Sequence, residues 1–358
     1  MRSPLVAFPD AASARSGRPG RPPESPWYRS LEGRWAFVLL DRPEAVAAEH
    51  VGAATDDRAW RRIDVPSCWT LQGTGDPPIY TNIQMPFPGP PPAVPDDNPT
   101  GVYRTRFRVP RTWRGRQVVL HVGGAESVLF VYVNGRFAGS GTDSRLATEL
   151  DLTPYLQTGE NTLACAVVRW SAHSYLEDQD HWWMAGLHRE VHLEARAPVH
   201  LGDVRVDAGL VEDLRRGTLR VRATVTFTRP ELIVPGWTVE AQLEALDGRP
   251  LADAVPHVTA PYFFRGHVVD LATTVPGVRP WSAEQPDRYA VLVTLRNPEG
   301  AVVEVVRQIT GFRRVEVRDR QLLANGRAVT IQGVNRHDHH PERGSAVTVE
   351  DLRPTWWP

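Results

Sequence analysis

The chain has 358 residues, a hydrophobic fraction of 41% and a formal net charge of −1. A length of this order is enough for about two domains with ordinary hydrophobic cores. The near-neutral charge gives no electrostatic basis for binding nucleic acid or an anionic membrane surface. The two cysteines, Cys68 and Cys165, lie in apolar surroundings and do not make a disulfide framework, so we expect both to be buried free thiols.

The first 25 residues combine Pro, Gly, Ser and Arg without an apolar run of the length that a secretory signal needs. We therefore expect residues 1–25 to form a disordered leader, and the protein to be cytoplasmic. No run of about eighteen apolar residues occurs, so the sequence predicts no membrane-spanning helix.

Residues 26–197 have the pattern of a β-sandwich. Apolar and basic residues alternate from Val102 to Val109, which is typical of a half-buried antiparallel strand. The pair Asn134-Gly135 separates two strand-like runs and predicts a tight hairpin. Further short strands follow at regular spacing, and this favours a sandwich or a jelly roll.

Residues 198–312 repeat the β pattern on a smaller scale. Alternation is clear over residues 218–227, and an apolar run covers residues 288–295. About seven strands fit into roughly 115 residues, which suits an immunoglobulin-like sandwich.

Residues 313–358 predict the beginning of a third domain. The pair Asn325-Gly326 predicts a hairpin, and the apolar run over residues 329–334 is typical of a buried barrel strand. Polar residues crowd the end of that strand, as in the substrate-binding face of a (β/α)₈ barrel. Few residues follow, whereas such a barrel needs about 250. The sequence thus predicts only the first strand of a truncated barrel.

These motifs together identify a family resemblance. The chain resembles the N-terminal portion of a glycoside hydrolase family 2 β-galactosidase of the long bacterial type. The matching stretches, in chain order, are Val65-Pro66-Ser67-Cys68-Trp69, Pro78-Ile79-Tyr80-Thr81-Asn82, Asn98-Pro99-Thr100-Gly101, Asp143-Ser144-Arg145, residues 169–180, Asn325-Gly326 and residues 333–341.

The resemblance implies a jelly-roll sugar-binding domain, an immunoglobulin-like domain and a catalytic barrel, in that order. It implies retaining hydrolysis of terminal non-reducing β-D-galactose residues, with Asn82, Asp180 and His337 as substrate-binding residues. Asp180 would also be a ligand of a sodium ion. The resemblance further implies Na⁺ and Mg²⁺ as cofactors, most of whose ligands lie outside this chain, and a homo-oligomeric full-length enzyme.

The two catalytic glutamates of the family, the acid/base and the nucleophile, have no counterpart here. Retaining hydrolysis needs two carboxyl groups about 5–5.5 Å apart, which Glu177 and Asp178 on one loop do not provide. For these two we expect an ordinary hydrogen-bonded loop. We therefore predict no catalytic residue in this chain and no activity of the chain alone.

Three hypotheses stay open from the sequence. The chain could be an inactive fragment of the enzyme, a subunit that completes a barrel carried on a second polypeptide, or a non-catalytic carbohydrate-binding module. The pair Trp182-Trp183 could stack on sugar rings or fill a core. Zinc binding by His337 and His339, which share one strand face, is disfavoured because no familiar set of partner ligands accompanies them.

Overall fold

The structure, a computed structural model, describes residues 5–17, 24–251, 255–258 and 267–352, with the backbone alone described over residues 255–258. The chain divides into two compact units. The jelly-roll unit contains residues 29–195 and the stretch from residue 335 onward, and the immunoglobulin-like unit contains the N-terminus and residues 196–334. No helix among the described residues is long and apolar enough to cross a membrane.

The jelly-roll unit contains a six-stranded and a four-stranded antiparallel sheet, which confirms the predicted class. The six strands, in spatial order, are Arg136–Gly141, Val128–Val133, Glu160–Val168, Thr100–Arg108, Gly33–Leu40 and Arg61–Val65. The four strands are Thr148–Asp151, Gln117–Val122, Val191–Arg196 and Tyr28–Ser30. Two short ribbons pair Ile79–Tyr80 with Trp182–Trp183 and Ala125–Glu126 with Gly186–Leu187.

Helices in this unit are short. The α-helices are Ala48–Val51 and Val349–Leu352, and the 3₁₀ turns are Pro43–Ala45, Trp69–Leu71, Arg111–Trp113, Thr153–Tyr155 and Ala172–Tyr175. The predicted hairpin at Asn134-Gly135 is confirmed, because both residues have positive φ, 52° and 79°. That backbone conformation matches the twist of the flanking strands and suits Asn and Gly.

Aromatic residues fill the core of the jelly roll. The ring of Phe37 lies 4.9 Å from that of Tyr103 and 6.0 Å from that of Trp69. Gly101 lies beneath this cluster, where a Cβ atom would come within 3 Å of Phe37 and Trp69. Glycine at this position therefore allows the backbone to approach the rings. Both cysteines are free and buried, and burial raises the pKa of each thiol to about 12.

The four-stranded sheet carries a charged histidine on one face. His121 Nδ1 lies 3.4 Å from Glu149 Oε1, and its Nε2 lies 3.6 Å from Glu190 Oε1. Burial lowers the pKa of His121, but the hydrogen bonds to Glu149 and Glu190 outweigh it and raise that pKa to about 9. The ring also stacks on His192, with 4.4 Å between the centroids.

The immunoglobulin-like unit contains two sheets that share one core. The five-stranded sheet has the order Ala7–Phe8, Val302–Thr310, Tyr289–Arg296, Thr238–Glu244 and Val255–Val258. The three-stranded sheet has the order Val199–Leu210, Arg216–Phe227 and Val268–Pro276, and a 3₁₀ turn covers Pro230–Leu232. Alternate residues such as Leu219 and Val221 from the second sheet pack with Val239, Val291 and Val293 from the first.

The expectation of a disordered leader is wrong for residues 5–17. Ala7–Phe8 adds to the edge of the five-stranded sheet, with Ala7 opposite Val306. An α-helix follows over Ala11–Ser16, capped by the Asp10 carboxylate, which accepts from Ser13 N at 2.8 Å. Phe8 and Ala14 are buried against the outer face of the sheet. Packing against this face, which the local sequence does not reveal, orders the segment. Residues 1–4 and 18–23 of the expected leader lie outside the described residues.

A three-stranded meander follows the immunoglobulin-like sandwich, over Val315–Arg318, Gln321–Ala324 and Arg327–Ala328. The hairpin predicted at Asn325-Gly326 is confirmed. The predicted barrel strand over residues 329–334 is absent, and Ile331 and Val334 are exposed. A buried parallel strand needs a neighbour on each side for its backbone hydrogen bonds, and no described strand pairs with this run.

The stretch that follows packs within the jelly-roll unit. His340 and Gly344 form an isolated β-bridge. Gly344 has a φ of +65° and lies against Met184 and Cys68, where a Cβ atom would not fit without movement. The short α-helix Val349–Leu352 follows Thr348, whose Oγ1 accepts from Asp351 N at 3.2 Å.

Candidate functional site

A two-stranded ribbon positions two of the three predicted substrate-binding residues. Trp182 pairs with Tyr80, and Trp183 pairs with Ile79. Asn82 follows the first strand by two residues and Asp180 precedes its partner by two, so both flank the same end of the ribbon. Residues about 100 positions apart in the chain therefore lie at the same end of one ribbon.

Asp180 is held in place by one side-chain bond and by the turn in which it lies. Tyr80 donates its hydroxyl hydrogen to Asp180 Oδ1 at 2.6 Å, and this bond raises the pKa of Tyr80. Asp180 is also the central residue of a tight turn, in which His181 N donates to Gln179 O at 2.7 Å. Both Asp180 and Asn82 are exposed, so their polar groups are available to a ligand.

The third predicted residue, His337, comes from the C-terminal part of the chain and contacts the residue that follows Asp180. Its ring meets that of His181 edge to face, with 5.3 Å between centroids and 74° between planes. His337 is exposed. Because His181 follows Asp180 directly, His337 lies close to Asp180. Asn82 follows Thr81, whose Oγ1 accepts from Trp183 Nε1 in the same ribbon.

His181 is a buried connector beneath these exposed groups. Its Nδ1 lies 2.8 Å from the backbone oxygen of Trp182, and its Nε2 lies 3.3 Å from Arg145 Nη2. Burial lowers the pKa of His181. At neutral pH the imidazole is accordingly uncharged.

Arg145 is in turn held by a buried carboxyl group. Its Nη1 lies 3.3 Å from Glu126 Oε2, and the Glu126 side chain is only 6% exposed. Burial raises the pKa of Glu126 to about 7, although the positive charge of Arg145 opposes the shift. On the same loop, Ser144 N donates to Glu177 Oε1 at 2.8 Å. Glu177 is therefore a hydrogen-bonded loop residue, as expected.

The two adjacent tryptophans have different environments. Trp183 is buried, its ring lies 5.5 Å from that of Trp170, and its Nε1 donates to Thr81 Oγ1 at 2.8 Å. Trp182 is 43% exposed and packs beside Tyr80 with 5.6 Å between ring centroids. Of the two interpretations of the pair, core filling thus applies to Trp183, whereas Trp182 keeps an open aromatic surface next to Asp180.

One side chain in this region is a suitable ligand for the implied sodium ion. Asp180 offers an exposed carboxylate, and hard cations prefer oxygen ligands of this kind. Throughout the described part of the chain, no group of three or more His, Cys, Asp and Glu side chains is arranged to hold a metal ion. Asp180 therefore fits as one ligand of a cation site and does not make a site by itself.

Sequence reasoning missed three residues of this site: Tyr80, His181 and Arg145. Tyr80 and Arg145 belong to matching motifs quoted above, but motif membership gave neither of them a role. Their roles come from contacts across about 36 to 100 residues of sequence, which no local pattern encodes.

Three protein-family models match consecutive stretches of the chain between residues 28 and 355. Residues 28–197 match the family model for the sugar-binding domain of glycosyl hydrolases family 2. Residues 199–313 match a second model of glycosyl hydrolases family 2. Residues 315–355 match the model for the TIM barrel domain of the same family.

Among curated relatives, the β-galactosidase of Psychromonas ingrahamii is 38% identical over 353 residues, and that of Photobacterium profundum is 40% identical over 357 residues. Each alignment covers 98% of this chain and 33% of the relative. The chain thus spans about a third of the length of the curated relatives that it matches.

Solved structures agree at the level of fold. A β-glucuronidase from Bacteroides uniformis superposes with a TM-score of 0.70 at 23% identity, over 90% of this chain and 37% of that one. A β-glycosidase from Bacteroides vulgatus superposes with a TM-score of 0.69 at 21% identity, over 89% of this chain and 38% of that one. With three consecutive family models matched in order, the chain belongs to glycoside hydrolase family 2 and comprises its sugar-binding domain, its immunoglobulin-like domain and the start of its TIM barrel.

Proposed function

We propose that this chain forms one wall of the galactose-binding site of a retaining β-galactosidase, which hydrolyses terminal non-reducing β-D-galactose residues. The observation that carries the proposal is the pair of contacts Tyr80–Asp180 and His181–His337, which join segments far apart in sequence. The β-galactosidases that are 38–40% identical over nearly the whole chain support the choice of sugar.

Each of the three residues offers a different hydrogen-bonding group to a sugar. The Asp180 carboxylate accepts from hydroxyl groups, the Asn82 amide both donates and accepts, and the His337 ring offers one donor and one acceptor when neutral. Tyr80 fixes one oxygen of Asp180 and so orients the other. Groups that are fixed before the sugar arrives lose less conformational entropy on binding.

Cleavage requires two further carboxyl groups about 5–5.5 Å apart on either side of the scissile bond. We propose that these belong to the catalytic barrel of which residues 315–355 match the start. The 358-residue chain alone is then expected to be inactive. No step is assigned to a metal ion, since Asp180 supplies only one potential ligand. The proposal includes a cytoplasmic location and homo-oligomeric assembly, which fractionation and sedimentation of the complete protein would test.

The experiment is a chimera that joins residues 1–344 to the remaining two thirds of the Photobacterium profundum β-galactosidase. Asp180→Asn keeps the shape of the side chain and removes its charge. Hydrogen bonds to charged groups contribute about 1.5–3 kcal/mol, so kcat/KM for a nitrophenyl β-galactoside should fall roughly 10- to 100-fold.

The matched control is Asp178→Asn, which makes the same change at an exposed aspartate two residues away. This variant should keep the activity of the unsubstituted chimera. An active chimera in which Asp180→Asn and Asp178→Asn behave alike would contradict the proposed role of the ribbon. Preference for a β-glucuronide over a β-galactoside would contradict the proposed substrate.

A further inference from the structure

Arg145 contacts the residues that lie beneath the exposed groups of the site. Arg145 lies between a buried carboxyl group, Glu126, and a buried imidazole, His181, at 3.3 Å from each. Its backbone is also fixed, because Arg145 N donates to Asp143 Oδ1 at 2.8 Å. The guanidinium therefore has a defined position from which it contacts His181.

The hydrogen bonds of His181 define its tautomer. A guanidinium group can only donate, and a backbone carbonyl oxygen can only accept. His181 Nε2 faces Arg145 and must accept, so it carries no hydrogen. His181 Nδ1 faces the backbone oxygen of Trp182 and must donate, so it carries the hydrogen. Both ring nitrogens are thereby engaged, and the ring cannot turn without losing one of these bonds.

The fixed ring is attached to the site in two ways. It provides the surface that His337 contacts at 5.3 Å. It also follows Asp180 in the tight turn closed by the His181 N to Gln179 O bond. A change in the His181 rotamer would therefore move the surface that His337 contacts relative to the turn that presents Asp180.

We propose that Arg145 is a positioning residue, which holds His181 in one tautomer and one orientation and thereby sets the relative placement of Asp180 and His337. The inference rests on the proposed function, because placement matters only if these two residues contact the sugar. Glu126 anchors Arg145 and completes a chain of contacts from the core to the site.

The first test is spectroscopic and uses the 358-residue chain itself. Histidine labelled with ¹⁵N distinguishes a protonated from an unprotonated ring nitrogen at a single pH, and His181→Phe identifies the signals of His181. The expected result is a protonated Nδ1 and an unprotonated Nε2. The double variant Arg145→Gln, Glu126→Gln replaces the guanidinium by an amide whose nitrogen lies two bonds short of the Nη2 position, so the bond to His181 is lost, and it leaves no buried charge unpaired, so the fold should be kept. In this variant the signals of His181 should change to a mixture of tautomers.

A protonated Nε2 in the unsubstituted chain would overturn the inference. An unchanged His181 spectrum in the double variant would also overturn it. These outcomes do not depend on any sugar contact, so they are distinct from a failure of the proposed function, which the Asp180→Asn chimera reports by itself.

The second test uses the same chimera and separates positioning from general support of the fold. The double variant should lower kcat/KM about tenfold at an unchanged melting temperature, because misplaced contacts weaken transition-state binding. Arg136→Gln is the matched control, since Arg136 is an exposed arginine of the same unit whose Nη1 donates to Pro154 O. Equal activity of the control and the double variant would overturn the positioning role.

Discussion

The pairing of Arg15 with Glu244 offers a sharp test of how the N-terminal segment is held. Arg15 Nε donates to Glu244 Oε2 at 2.9 Å, and Arg15 Nη2 donates to Glu244 Oε1 at 2.5 Å. The Glu244 side chain is 1% exposed and that of Arg15 is 38% exposed. Arg15→Ala would leave a carboxylate that is nearly inaccessible to solvent without these two donors.

The expected loss of stability follows from that burial. Breaking a fully buried ion pair costs about 3–5 kcal/mol. Because Arg15 is partly exposed, water can replace some of the bonds that it makes to Glu244. We therefore expect Arg15→Ala to lower the free energy of unfolding by about 2–3 kcal/mol. The melting transition of the immunoglobulin-like unit should fall by roughly 5–12 °C. Differential scanning calorimetry on the chain would measure it.

The control is Arg58→Ala, which removes the same side chain from an exposed pair. Arg58 lies 2.6 Å from Asp56, but the two side chains are 87% and 60% exposed. Water solvates both charges of such an exposed pair, so its loss should change stability little. In the double variant Arg15→Ala, Glu244→Gln, part of the lost stability should return, because no buried charge is left. Equal effects of Arg15→Ala and Arg58→Ala would refute the reasoning.

Two further predictions concern pH and local packing. The pKa of His121 is raised to about 9 in the folded chain and is about 6.5 in an unfolded one, so its stabilising effect is complete below pH 6.5 and is lost as the pH rises through 9. Urea titrations should therefore show the free energy of unfolding falling by up to about 3 kcal/mol over this window. In His121→Phe this pH dependence should disappear. Gly344→Ala should loosen the contact of residues 340–352 with Met184, and amide exchange in that stretch should become faster. Gly300→Ala is the control, because Gly300 also has positive φ (+84°) but no atom of the described residues lies within 4 Å of the added Cβ. It should cost only the backbone strain of about 1 kcal/mol.

The sequence predicted the β architecture well because alternation and turn chemistry are local signals. The hairpins at Asn134-Gly135 and Asn325-Gly326 need nothing beyond their own residues. The N-terminal segment could not be predicted in this way, since Phe8 and Ala14 are ordered by a sheet that appears much later in the chain. The apolar run over residues 329–334 lies in the stretch that matches the start of the TIM barrel, but its strand conformation needs neighbouring strands that are absent among the described residues.

The candidate site shows the same contrast between local signals and long-range contacts. Asp180 and His337 could be named from motifs, and the structure places them in one neighbourhood through His181. Their supports could not be named, since the link from Arg145 to His181 forms only when two loops fold together. Short motifs report which groups face a ligand more readily than which groups hold them in place.

The strand Ala7–Phe8 pairs with a partner strand roughly 300 residues later in the chain. During synthesis the N-terminus leaves the ribosome first, so Ala7–Phe8 stays unpaired until the strand Val302–Thr310 has been made. The entropic cost of closing so long a loop grows only with the logarithm of its length, and late docking is therefore compatible with a stable product. A nascent chain stalled shortly before residue 302 should be cleaved near Phe8 by proteases, while one released after residue 310 should be protected there.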